Sequence, residues 1–254
     1  MTDQLTTITI HGKRCHVYQQ EHHPNEAKAA GCMPVFYWGV NRGSKDNIMT
    51  VVSYLKEHMP SARFLFTAYE TENWNDDFSP WEAEAVFGKD AFGGKAVDTL
   101  RWLTEYCMPS VEREMSEIAR FPVGYSLAGL FSLWVYCKCD LFAGAVSCSG
   151  SLWYEGWLDF VQEWAAIVSK RQKNWNSCNQ EMEYLYLSLG DKEEKTRQKR
   201  LSTVKDCTTK TYALLCGEQA YRKGILEWNR GGHFTNPDLR IAKGIHWILK
   251  QFDV

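Results

Sequence analysis

Polar and apolar residues alternate at the start of the chain. Thr6-Thr7-Ile8-Thr9-Ile10 and Cys15-His16-Val17-Tyr18 flank His11-Gly12, the period-two pattern of a β-hairpin. A polar stretch, Gln19 to Gly31, reads as a loop. Thereafter the pattern changes. Met33 to Gly39, Ala62 to Tyr69, Phe142 to Cys148, Glu183 to Gly190 and Gly224 to Trp228 are short apolar runs, as expected of strands buried on both faces. Between them Asn47 to His58, Val97 to Ile118, Trp157 to Lys170, Asp191 to about Cys216 and Pro237 to Gln251 carry helical spacing. The predicted architecture is α/β: a mostly parallel central sheet with an antiparallel N-terminal hairpin and helices on both faces. At 254 residues, without repeat or linker, residues 1–254 form one predicted domain. Ligands in such sheets bind beyond the carboxyl ends of the strands.

One junction carries candidate chemistry. Phe121 to Trp134 reads FPVGYSLAGLFSLW, so Ser126 falls where a short apolar strand becomes an apolar helix. A sharp turn there lifts a serine hydroxyl out of the backbone. Gly124, Ala128 and Gly129 are small enough to let the chain fold back. The first helical N–H, that of Leu127, is placed to hold a developing oxyanion. The competing reading is an ordinary helix N-cap serine, so a base and an acid must be found elsewhere.

Arg230-Gly231-Gly232-His233-Phe234 follows the last strand directly. Its glycines let the backbone bring an imidazole into a tight site at the same sheet end. The other histidines fall in a turn (His11), a polar loop (His22, His23), an edge strand (His16) or helices (His58, His246). The acid should follow Glu183 to Gly190, where Asp191, Glu193 and Glu194 all qualify. Its role would be to fix the imidazole tautomer. Acids at a helix start, favourable to the dipole, explain the same cluster without catalysis.

Composition narrows the class. A net charge of −2 gives no electrostatic case for nucleic acid or an anionic membrane. The N-terminus lacks a secretory pattern and no run reaches membrane-span length, so a soluble, cytoplasmic protein is expected. Nine scattered cysteines fit reduced thiols better than a disulfide framework. Cys137-Lys-Cys139 has no second ligand pair, and no metal or cofactor is expected. Eleven tryptophans exceed ordinary packing needs, so some should line a binding surface. Glu70 to Trp81, aromatic, amide-rich and acidic, is a long loop predicted to form part of that surface.

Serine, acid and histidine in this order resemble an α/β-hydrolase, and more narrowly the esterase D-like family that includes siderophore, feruloyl and acetyl esterases. Pro34-Val-Phe-Tyr-Trp resembles that family's first central strand, Gly124-Tyr-Ser-Leu-Ala-Gly its nucleophile elbow and Gly232-His233 its histidine loop. Ala128 departs from the commoner glycine. The resemblance implies a serine carboxylic ester hydrolase working through an acyl-enzyme on a small or aromatic ester. It places the acid three residues after Gly190, at Glu193, with Asp191 next, although some members resembling siderophore esterases work with a serine–histidine pair alone. The oxyanion would sit on the N–H groups of Leu127 and of Val40 or Asn41. No segment corresponds to a large lipase cap domain, which implies an open cleft walled by Trp74, Trp81 and Trp153. Two rival readings stay open: acyl transfer through the same serine, and a catalytically silent fold that binds through its aromatic face. The sequence leaves homo-oligomerisation open.

Overall fold

A computed structural model describes residues 4–21, 32–86, 88–113, 115–168, 182–217 and 221–252. In chain order the strands are β1 (Thr6–Ile10), β2 (Lys13–Gln20), β3 (Met33–Asn41), β4 (Phe64–Thr71), β5 (Glu82–Ala83), β6 (Phe92–Gly93), β7 (Ile118–Tyr125), β8 (Gly144–Cys148), β9 (Glu183–Gly190) and β10 (Arg222–Asn229). The α-helices are α1 (Lys45–His58), α2 (Trp74–Asp77), α3 (Ala96–Trp102), α4 (Met108–Glu112), α5 (Leu127–Lys138), α6 (Trp157–Val168), α7 (Val204–Cys216) and α8 (Pro237–Leu249). Eight strands form one sheet in the order β1-β2-β4-β3-β7-β8-β9-β10. β1–β2 and β2–β4 pair antiparallel, and the remaining neighbours are parallel. His11 and Gly12 both take positive φ, 43° and 83°, as the predicted tight hairpin turn requires.

The strand order explains where a site can form. From β3 the chain crosses by α1 to β4 on one side, then returns to place β7 on the other. This reversal opens a crevice at the carboxyl ends of β3 and β7, where Asn41 and Ser126 stand. Alternate residues of β3 face opposite layers. Val35 and Tyr37 join the core that contains α5, whereas Phe36, Trp38 and Val40 join the one beneath α1 and α8. Phe36 stacks on Phe121 with centroids 5.5 Å apart, an arrangement that contributes about 0.5–1.5 kcal/mol beyond burial. Every residue of α5 from Leu127 to Cys137 is buried, so the helix behind the elbow is fixed on all sides.

Three expected elements differ. Val97 to Ile118 is not one helix: a π-turn, Leu103–Cys107, separates α3 from α4, and Ile118 already belongs to β7. Pro109 has no N–H to offer an i−4 carbonyl, so a regular helix cannot continue through it. Glu70 to Trp81 is not entirely loop. Glu70 and Thr71 end β4, and Trp74–Asp77 makes one helical turn capped by the Asn73 side chain. Asp191 to Arg200 does not open a helix; α7 begins only at Val204, after a 3₁₀ turn at Leu201–Thr203. The amides of Asp191 and Lys192 instead donate to Asn229 and Gly231, at 2.8 and 3.1 Å. These bonds tie the segment to the end of β10.

Among the described residues seven cysteines, including Cys137 and Cys139, are free thiols, but Cys32 carries a disulfide. The seven free thiols agree with the expectation of reduced cysteines rather than a disulfide framework, and Cys32 departs from it. Among the described residues no cluster of three or more His, Cys, Asp or Glu side chains could hold a metal, and no helix is long and apolar enough to cross a membrane. His22, His23, most of the Gln19 to Gly31 loop, and residues 169–170 of the predicted Trp157 to Lys170 helix lie outside the described residues.

Candidate active site

Ser126 joins β7 to α5 with φ 58° and ψ −122° and makes no side-chain capping bond. An N-cap serine would have extended backbone and bond the helix amides, so the capping reading does not describe this residue. Its backbone is held instead. The Ser126 N–H donates to the Cys148 carbonyl at 3.1 Å, and its carbonyl accepts from Gly129, Leu130 and Ser151 at 3.0, 3.1 and 2.9 Å. A Cβ on Gly124 would collide with the carbonyl of Ala128; at this position only glycine permits the turn. Gly129 is less constrained, a Cβ there lying 3.0 Å from Gly150 Cα and 3.1 Å from Ser147 Oγ.

The Ser126 hydroxyl meets His233. Ser126 Oγ lies 3.0 Å from His233 Nε2, and His233 Nδ1 lies 2.8 Å from Glu193 Oε2. A carboxylate only accepts, so Nδ1 carries the proton and Nε2 is free to accept from the serine. His233 is partly open to solvent, its side chain 32% exposed, while that of Glu193 is 2% exposed. The histidine loop is held by the Tyr125 hydroxyl, which donates to the His233 carbonyl. Burial pushes the Tyr125 phenol up to about 12, keeping it a donor at neutral pH. Of the two glycines, Gly231 takes φ 106° and a Cβ there would crowd Thr235, whereas Gly232 has open space. Only Gly231 is needed for the bend.

Glu193 is the acid that reaches the imidazole. Its Oε1 accepts from the Gly190 amide, Ser149 Oγ and Arg240 Nη1, each at 2.7 Å. Burial alone would raise its pKa. The hydrogen bond and charge of His233, with the bonds from Ser149 and Gly190, outweigh burial and hold the carboxyl below the usual range. Asp191 does not touch the imidazole: it is exposed, and its Oδ1 accepts the Gly231 amide at 2.8 Å. Glu194 pairs with Lys205 at 2.9 Å.

The aromatic segments pack against one another beside the elbow. Ser151 Oγ lies 3.4 Å from Ser126 Oγ, and Trp153 follows two residues on in the same segment. Trp81 Nε1 donates to the Glu155 carbonyl at 2.8 Å, and Tyr154 donates to the Trp81 carbonyl at 2.6 Å. Trp153 meets Phe92 edge-on at 6.3 Å. Trp74 belongs to a separate group, edge-on to Phe78 at 4.9 Å. All three tryptophans are half-buried against the core. A cleft of about 500 Å³ lined by Asp76, Glu82, Glu84 and Phe92 adjoins this wall without including Ser126 or His233. Val40 is buried near the end of β3 and Asn41 is exposed. Leu127 opens α5, so its N–H is one of the amides with no intrahelical acceptor.

Sequence reasoning missed Arg240 and the part Ser149 plays beside the acid. Arg240, on α8, also donates to Ser149 Oγ at 2.7 Å, to Tyr125 Oη at 3.2 Å and, through Nη2, to the Gly232 carbonyl at 2.9 Å. A signal was present. Residues 240, 241, 242, 244, 245, 248 and 249 of α8 are buried, and Arg240 is the charged member of an otherwise apolar set.

No protein-family model and no curated relative matches the chain. Solved structures do. The siderophore hydrolase EstA from Aspergillus nidulans aligns over 94% of this chain and 90% of its own, with TM-score 0.71 and 16% identity. An IroE-like serine hydrolase from Shewanella oneidensis aligns over 99% and 82%, with TM-score 0.74 and 15% identity. The siderophore hydrolase EstB from Aspergillus nidulans aligns over 99% and 96%, with TM-score 0.69 and 14% identity. These alignments run nearly end to end on the same mostly parallel sheet, and the chain therefore has the α/β-hydrolase fold.

Proposed function

We propose that the protein is a serine carboxylic ester hydrolase acting through an acyl-enzyme. The observation that carries this reading is the continuous bond path Ser126 Oγ, His233 Nε2, His233 Nδ1, Glu193 Oε2, with spacings of 3.0 and 2.8 Å. Ser126 Oγ attacks the acyl carbonyl while His233 Nε2 takes its proton. Glu193 stabilises the imidazolium that results. The oxyanion lies on the Leu127 N–H, with Val40 or Asn41 supplying the second donor from the carboxyl end of β3. On collapse, His233 returns the proton to the leaving alcohol. Water, deprotonated by the same nitrogen, then releases the acid and regenerates Ser126.

Two of the similar structures are siderophore hydrolases by their descriptions. Together with the wall formed by Trp81 and Trp153, this supports small or aromatic esters as the substrate class, met in an open cleft. Wild-type protein is expected to be labelled at Ser126 by a fluorophosphonate probe and to hydrolyse p-nitrophenyl acetate. Failure of Ser126 to label at neutral pH would favour a silent binding protein. Unchanged turnover in folded Ser126→Ala would remove the nucleophile assignment.

A further inference from the structure

We infer that Arg240 is a positioning residue whose buried guanidinium aligns Glu193 behind His233 and ties together the three segments that bear the proposed triad. The inference rests on the triad reading above. Each of its contacts falls beside a triad member. Tyr125 immediately precedes Ser126, Gly232 immediately precedes His233, and Glu193 is bonded directly, as is Ser149, which itself bonds Glu193. One planar group thus spans the ends of β7, β8, β9 and β10 from a single position on α8.

The bonds also decide which oxygen faces the imidazole. A carboxylate oxygen has about two lone-pair directions, and Glu193 Oε1 already takes three donors. Oε2 is left for His233. Arg240 is 1% exposed, and its Nε is buried with no hydrogen-bond partner among the described residues. Burying a cation and stranding one of its donors both cost stability, whereas an apolar side chain on this face would cost neither. The arginine is explained by what it holds in place.

Its charge has a separate consequence. The groups around His233 are Glu193 and Asp191 from the turn after β9, Tyr125 from β7 and Arg240 from α8; Arg230, on the histidine loop itself, is exposed. Cys148, whose Sγ donates to the Arg240 carbonyl, has a thiol pushed up to about 12 by burial and is neutral. Arg240 is the cation bonded to Glu193. It offsets the negative charge that favours the imidazolium.

The test compares Arg240→Met with Arg240→Lys, each assayed for kcat and KM on p-nitrophenyl acetate from pH 5 to 9 at a temperature where it is folded by circular dichroism. The Met variant is expected to lose about 10–100-fold in kcat, as for a small misplacement of a catalytic group, with KM unchanged. Its acid limb should move to higher pH, in the sense expected when a nearby cation is lost. The Lys variant keeps the charge, so its limb should stay at the wild-type pH while kcat is only partly recovered, because an ammonium lacks the fork. A lower melting temperature with wild-type kcat, KM and limb would reduce Arg240 to a structural residue and overturn the inference. So would a change confined to KM. If the Met variant does not fold, the Lys variant alone decides: wild-type kcat there is also contrary.

A readout without substrate separates this inference from the hydrolase reading. The downfield proton resonance of His233 Nδ1–H, identified by its absence in His233→Asn, should broaden or vanish in Arg240→Met and persist in Arg240→Lys. Persistence at wild-type shift and width in both would overturn the positioning role, whether or not the protein hydrolyses esters.

Discussion

Among the described residues, two histidine–glutamate pairs have nearly the same bonds. His233 lies between Ser126 Oγ and Glu193, with Arg240 on the carboxylate. His16 lies between Thr7 Oγ1, at 3.0 Å from Nδ1, and Glu70, at 3.1 Å from Nε2, with Arg14 at 3.7 Å from the carboxylate. What separates them is the setting of the hydroxyl and the access to the ring. Thr7 is an ordinary strand residue directly opposite His16 in the β1–β2 ladder, where cross-strand polar pairs are routine. It offers no helix N-terminus to receive an oxyanion. His16 is 3% exposed, too enclosed for an ester to reach. The lesson is that a hydroxyl–imidazole–carboxylate series is common bonding. Elbow geometry and an open face give it chemical meaning.

The comparison can be broken most sharply at the hydroxyls. Ser126→Ala is expected to lower kcat/KM on a p-nitrophenyl ester by about 10³-fold or more, whereas Thr7→Ala stays within about twofold. Comparable losses in initial-rate assays would erase the distinction. Next are the carboxylates. Glu193→Gln should reduce kcat by about 10³–10⁴-fold because the amide no longer enforces the tautomer; Glu70→Gln should act on stability and leave kcat per folded molecule near wild type.

A smaller effect is expected at the enclosed histidine. His16→Ala leaves the buried Glu70 carboxylate with only the long bond from the Gly43 amide, 3.4 Å, and distant Arg14, and should cost about 1–3 kcal/mol, read as a drop in Tm, with esterase activity intact below the transition. Activity lost in parallel with His233→Ala would contradict this. The smallest effect concerns acid stability. Because Glu193 has a folded-state pKa below its unfolded value, its contribution is fully present above the unfolded carboxylate pKa of about 4.3. It is lost as pH falls through the lower folded value. Thermal melts should show a shallower acid-side decline in Glu193→Gln than in wild type, with parallel curves above about pH 6. Equal declines would remove Glu193 as a source of that dependence.

Much of the site was legible because its requirements are local. Gly124 is dictated by Ala128, four residues away, and Gly231 by Thr235, so a short window of sequence contains both cause and effect. The parallel sheet was legible for a similar reason, since continuous apolar runs report burial on both faces. Glu193 was singled out only through a family resemblance; from composition alone it stood level with Asp191 and Glu194. What distinguishes it is Arg240, 47 residues away on α8, a tertiary contact that no local pattern records. Other long-range bonds misled the helix assignment after Gly190, where amides that could have opened a helix are taken by Asn229 and Gly231 at the end of β10. The π-turn, by contrast, left a local trace in Pro109.

The positive φ at Ser126 also limits which atoms could take the place of the proposed nucleophile on this scaffold. At φ 58° a β-branched side chain is a genuine outlier, so threonine, though it carries a hydroxyl of the same kind, is excluded by its methyl group. Cysteine has an unbranched Cβ and meets no such objection. A descendant of this protein that abandoned oxygen would have sulfur within one substitution's reach, on a backbone already bent to present it.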